Sequence, residues 1–202
     1  MQEHNELIMD DFKGNLSHGI NVANLSYLIA KEMELDEDMC YDIALSGFLH
    51  DIGKLQLSQY LYGRNKTALE VEEMKYMRMH SKLSYDIIQH YDLPYLVQES
   101  VLYHHENYDG SGYPENLKGD DIPLGARIIK VADTFAALIS DRPYRKAFDY
   151  ETAMELMIDE AKNYDIKIFL VFQRIMNTMN IDDIISKSVI DMDIDDIMEL
   201  LA

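Results

Sequence analysis

The chain has little of what would signal a secreted, membrane-spanning or nucleic-acid-coating protein. One cysteine, Cys40, in 202 residues leaves no internal disulfide to form, and the residue reads as a small buried hydrophobe. The opening MQEHNELIMD has no basic stretch leading into an apolar run, so the reading is a reduced, cytoplasmic protein without a membrane span. Four prolines, nine glycines and no run of alternating β-branched residues leave little for a sheet. Basic residues are scarce: 18 Lys and Arg stand against 37 Asp and Glu, a formal net charge of −19. A broad cationic surface for duplex nucleic acid is not expected, and any anionic ligand must be held locally.

What remains is 48% hydrophobic and 27% charged, the composition of one globular domain with a substantial core. Apolar residues recur at helical spacing in segment after segment, which predicts an all-α fold, a single helical bundle. Ile20, Val22, Ala23, Leu25, Leu28, Ile29 and Met33 form one inward face, ended by the polar ELDED stretch. A second helix through Ile43 and Phe48 is expected to stop at Gly53 as a helix terminator. Pro94 opens a later helix. NYDGSGYPENLKGDDIP is the one long irregular loop, a type that is usually functional. The thirteen methionines are core fillers. The reading divides the chain into a leader (1–13), a main domain (14–180) and an acidic amphipathic C-terminal helix (181–202). In that helix Ile190, Ile194, Ile197, Met198 and Leu201 share a face that docks on its own domain or serves a dimer or signalling partner.

Five of the seven histidines follow a pattern that packing does not require. His18, His50, His80 and the pair His104 and His105, with Asp51 and Asp133, recur at intervals of roughly 24 to 32 residues. A helix with its connection consumes about that much chain, so successive helices can each bring a ligand to one place inside a bundle. Imidazole and carboxylate together suit Fe, Mn, Zn or Co. Adjacent residues on a helix diverge by about 100°, so His50-Asp51 and His104-His105 would each address two ions, with Asp51 as the bridge. His4 and His90 keep the ordinary reading of isolated structural or surface groups.

HDIGK at 50–54, HHENYDGSGYP at 104–114, and VAD with SDRPYR between 131 and 145 resemble the HD-GYP family, a branch of the HD metal-dependent phosphohydrolases. The resemblance spans roughly residues 14 to 175. It implies an all-helical fold, a centre of two or three divalent transition metals with iron or manganese foremost and zinc, cobalt or nickel as alternatives, and hydrolysis of cyclic dinucleotides, mainly cyclic di-GMP. It implies ligation by His18, His50, Asp51, His80, His104, His105 and Asp133, catalytic roles for Asp51 and Lys54, and phosphate binding by Arg142 and Arg145. Departures exist. Trinuclear members carry a glutamate one turn before the first histidine, where this chain has Gly14, which favours two metals. Ser81 stands where proline usually follows the third histidine, and Tyr164-Asp165-Ile166 replaces an FDP-like element.

On this basis the expected reaction is metal-dependent hydrolysis of cyclic di-GMP to linear pGpG by a metal-bridged hydroxide, with further breakdown to GMP less secured. A non-catalytic cyclic dinucleotide receptor or adaptor, or an HD phosphohydrolase for another nucleotide, are the alternatives. Lys54 could also be a solvated helix-end lysine, and Arg142 and Arg145 structural ion pairs or caps. Residues 118–146 carry six basic side chains against four acidic ones, a locally positive stretch in an acidic chain. Gly110 and Gly112 are expected to allow unusual backbone angles, with Tyr113 and Pro114 as a rigid edge of the pocket. The loop is no dinucleotide fingerprint, since Glu115 stands where the third glycine would be, and Asp109 stands where HExxH would need its second histidine.

Overall fold

A computed structural model describes residues 2–55, 57, 78–141 and 145–179, with the backbone alone for 2–12. Its elements are α1 (Gln2–Glu32), α2 (Glu37–Leu49), α3 (His80–Ile88), α4 (Tyr95–Tyr103), α5 (Leu124–Leu138), α6 (Tyr150–Asp159) and α7 (Ile166–Thr178), with 3-10 turns at Gly119–Asp121 and Ala161–Asn163. The all-α reading holds for these residues, and none of their helices is long and apolar enough to cross a membrane. The expected leader is not separate from the first helix: α1 runs unbroken from Gln2 through the stretch that carries His18.

α1 ends because residue 34 turns left-handed. Glu34 has φ 60, and the amides of Glu34 and Leu35 donate to the carbonyls of Lys31 and Ala30, which satisfies the last turn. Asp36 then caps α2 by accepting from the Met39 amide at 2.9 Å. Val22, Leu25 and Ile29 on α1 meet Ile43 of α2, Ile128, Ile129 and Phe135 of α5, and Ile168 and Phe172 of α7 in one apolar core. Cys40 is fully buried there, as its reading required, and Met157 and Met176 fill the same core. α4 lies on α2 and α5, and α3 on α4, so five helices converge at one end of the bundle.

The expected helix stop at Gly53 is corrected. α2 ends at Leu49 with His50 as its C-cap, and Gly53 lies in the turn beyond. That turn runs against the start of α3. A Cβ on Gly53 would sit 2.5 Å from the His80 carbonyl oxygen and 2.6 Å from the Ser84 nitrogen, and the Gly53 amide donates to Ser84 Oγ at 2.9 Å. The residue is glycine because two backbones touch. Gly53→Ala should therefore push the turn off α3, costing about 1–3 kcal/mol of stability. An unchanged denaturant midpoint in that variant would contradict the close approach.

The linker 56–68 and the start of the segment after it, together with Arg142 and the C-terminal helix 181–202, lie outside the described residues, apart from Leu57.

Candidate metal centre

His50 and His104 occupy equivalent places. Each is the C-cap of its helix, and each uses Nδ1 to donate to the carbonyl three residues back: His50 to Gly47 O at 2.6 Å, His104 to Val101 O at 2.7 Å. A helix end leaves carbonyls without partners, and an imidazole placed there satisfies one while its ring is fixed. With the hydrogen on Nδ1, Nε2 turns a lone pair away from the helix. The residue after each cap is already off the helix. That is how Asp51 and His105 reach the same space as His50 and His104.

The seven expected ligands do meet. His18 from the middle of α1 places Nε2 2.8 Å from Asp133 Oδ1 on α5. His50 Nε2 lies 3.2 Å from Asp51 Oδ2 and 3.7 Å from Asp133 Oδ1. His80, the first residue of α3, places Nε2 3.2 Å from Asp51 Oδ1, 3.2 Å from His104 Nε2 and 2.9 Å from His105 Nε2. Their donor atoms fall into three overlapping groups: His18, His50 and Asp133; His50, Asp51 and His104; His80, His104 and His105. Asp51 spans the ends, one oxygen toward His50 and the other toward His80. Because α4 has ended at Tyr103, both Nε2 atoms join the group with His80, while His104 alone of the pair also joins the group with His50 and Asp51.

This donor set fits a cation. Nitrogen lone pairs of neutral imidazoles repel at 3 Å unless something positive lies between them, and burial with neighbouring histidines holds His104 and His105 well below the usual imidazole value. His18 Nδ1, His50 Nε2 and Asp51 Oδ1 are buried without a well-formed hydrogen bond among the described residues. Burial alone would lower His50, yet the neighbouring carboxylates of Asp51 and Asp133 raise it to about 10. In the same way burial would raise Asp51 and Asp133, and the facing histidines hold both well below the ordinary carboxylate value, with Lys54 adding to the effect at Asp51.

Lys54 places Nζ 2.5 Å from Asp51 Oδ2, at the edge of the centre. Arg145 is placed differently from its expectation. Its guanidinium donates to the carbonyls of Ala137, Leu138 and Lys146 and lies 4.3 Å from the centre of the Phe148 ring, capping the end of α5. The loop after His105 folds back on it. Tyr113 stacks on the His105 ring at 4.7 Å, and Arg78 lies 5.5 Å from the centre of the Tyr113 ring. Gly110 has the expected positive φ of 87, but Gly112 does not: a Cβ there would strike Asn107 N at 2.3 Å and His105 O at 2.5 Å. Glu106, nearly fully buried, anchors the same loop by accepting from the Glu115 amide at 2.7 Å. Sequence reading missed Glu106 and Arg78. The only signal for Glu106 was a charged residue beside two ligands.

The chain matches the model of the HD domain over residues 4–168. It is 37% identical over 138 residues to a cyclic di-GMP phosphodiesterase of Thermotoga maritima, an alignment covering 67% of this chain and 37% of that protein. It is 36% identical over 159 residues to 3'3'-cGAMP-specific phosphodiesterase 1 of Vibrio cholerae, covering 78% of this chain and 37% of that protein. The chain thus spans about a third of the length of these curated relatives. Among solved structures, an HDG"Y"P protein from Bdellovibrio bacteriovorus superposes with a TM-score of 0.64 at 21% identity, over 82% of this chain and 53% of the other, and shares the fold.

Proposed function

The chain belongs to the HD-domain family, and from that premise we propose that it is a member of the HD-GYP branch and a metal-dependent phosphodiesterase acting on a cyclic dinucleotide, with cyclic di-GMP as the leading substrate. The observation that carries this reading is the double donor set. His18, His50 and Asp133 stand on one side, His80, His104 and His105 on the other, and the two oxygens of Asp51 face both. Two divalent transition metals held there, iron or manganese foremost and zinc, cobalt or nickel as alternatives, would make a water acidic near neutral pH and neutralise the phosphate charge. Gly14, one turn before His18, offers no side-chain ligand, which supports two metals over three.

The remaining roles belong to the chain. Gly47 O and Val101 O fix the rings of His50 and His104, so both present Nε2 without rearrangement. Lys54, resting on Asp51 Oδ2, is placed to stabilise negative charge on the phosphate or the leaving oxygen as the P–O bond breaks. Arg142 is proposed as a phosphate contact. Arg145 is given that role only with the two N–H groups its helix cap leaves over. Cleavage of one phosphodiester of cyclic di-GMP yields the linear dinucleotide pGpG. The 36% identity to the cGAMP-specific enzyme favours 3'3'-cGAMP as a second reading.

The test is anaerobic purification with metal analysis, followed by product identification from each dinucleotide. The expected result is two metals per chain and accumulation of pGpG. Intact cyclic dinucleotides beside rapid hydrolysis of an unrelated phosphoester would overturn the assignment. Tight binding without turnover would identify a receptor.

A further inference from the structure

Three of the six basic side chains on residues 118–146 are already committed. Arg127 bridges Asp120 at 2.7 Å and Asp165 at 2.8 Å, Arg145 caps α5, and Lys146 holds Asp141 at 2.6 Å. Lys118 is exposed, with its stem against Gly110. Among the described residues the stretch therefore forms no basic patch, and the locally positive reading leaves one cation on the helix that carries Asp133.

That cation is Lys130. It lies on α5 one turn before Asp133, on the face that carries Asp133 to the metal ligands, and it is half-buried. Its ammonium makes no hydrogen bond or ion pair with any described residue. Burial pushes its ammonium below the usual lysine value. Asp133, Glu160 and Glu106 oppose this without reversing it, and His105 in turn feels the Lys130 charge. Taking an ammonium partly out of water without a counter-ion costs free energy, so the position calls for an anion. Asp133 does not supply it, being engaged by His18 and facing the metal donors.

We propose that Lys130 is a substrate-binding residue: its ammonium, on the α5 face that carries Asp133 and without a partner among the described residues, holds a non-bridging oxygen of the scissile phosphodiester. Lys54 is engaged elsewhere, on Asp51, so the two lysines belong to different elements and do not duplicate each other. This rests on the phosphodiesterase reading for the identity of the phosphate but not for the existence of an anion site.

The experiment compares the metal-loaded full chain with its Lys130→Met, Lys130→Gln and Lys130→Arg variants, reading metal content, KM and kcat for cyclic di-GMP, and calorimetric binding of inorganic phosphate. The Met and Gln variants are expected to keep their metal and to show a KM raised about 10- to 100-fold with kcat little changed. Phosphate binding should weaken by a similar factor, and Arg should restore most of both. Unchanged KM and phosphate binding in a metal-replete Met variant would overturn the proposal. So would failure of both neutral variants to fold, which would make Lys130 structural. If the wild type hydrolyses no cyclic dinucleotide, the phosphodiesterase reading fails on its own, and the phosphate titrations still decide Lys130.

Discussion

Asp51→Ala is expected to lower kcat/KM for cyclic di-GMP by about 10²–10³-fold or more, the scale seen when one preorganised charge is removed from a reacting centre. It should also reduce bound metal from two per chain. Of the seven proposed ligands Asp51 puts an oxygen toward each group, 3.2 Å from His50 Nε2 on one side and 3.2 Å from His80 Nε2 on the other. Its loss also releases Lys54, whose ammonium rests on the same carboxylate. Asp51→Asn keeps the shape but offers one neutral acceptor, so it should fail nearly as badly. A folded Asp51→Ala protein with two metals and near-normal turnover would sink the bridging role.

Stripping the metal is expected to abolish turnover and to weaken cyclic di-GMP binding sharply, because a chain of net charge −19 has few other cations to offer a dianion. Removal should also change how stability depends on pH. In the stripped centre the His50 proton takes the cation's place between Asp51 and Asp133, and its pKa is raised to about 10. A base raised in the folded state stabilises fully below its unfolded value of about 6.5, and that contribution fades as pH climbs toward the folded value. His104 and His105 are depressed, so they oppose folding only below about 6.5, where the unfolded chain takes up protons. Between about pH 7 and 9 the stripped protein should therefore lose stability. The loaded protein, where metal replaces that proton, should bind its metal more tightly over the same range. Thermal melts of both forms check this, and a stripped protein whose melting temperature holds or rises across that window would refute it.

The grouping of the seven candidate ligands was legible because their residue types are chemically costly on apolar helical faces and their spacing suited successive helices. Their mutual geometry was not. Whether His104 and His105 diverge depends on where α4 stops, and a one-residue difference in a helix end is below what periodicity resolves. Gly53 illustrates the same limit. Glycine after a helical stretch reads as a terminator, but the reason for it here is the backbone of α3, some thirty residues away in sequence. The basic side chains of 118–146 were countable but not assignable. Arg127 looks the same in sequence as Lys130, and only the fold reveals that one is clamped between Asp120 and Asp165 while the ammonium of the other pairs with no described residue.

The two histidine caps make helix length a ruler. Each residue added to or removed from the body of α2 or α4 would advance the cap by about 1.5 Å and rotate it by about 100°. His50 or His104 would then leave the carbonyl that orients its ring, and Asp51 or His105 would be carried out of reach of their partners. The irregular stretch between Asn107 and Pro123 is tied down as well, by the Glu115 amide on Glu106 and the Asn116 side chain on the Gly112 carbonyl. Change in length is thus refused within the helices that end at the centre.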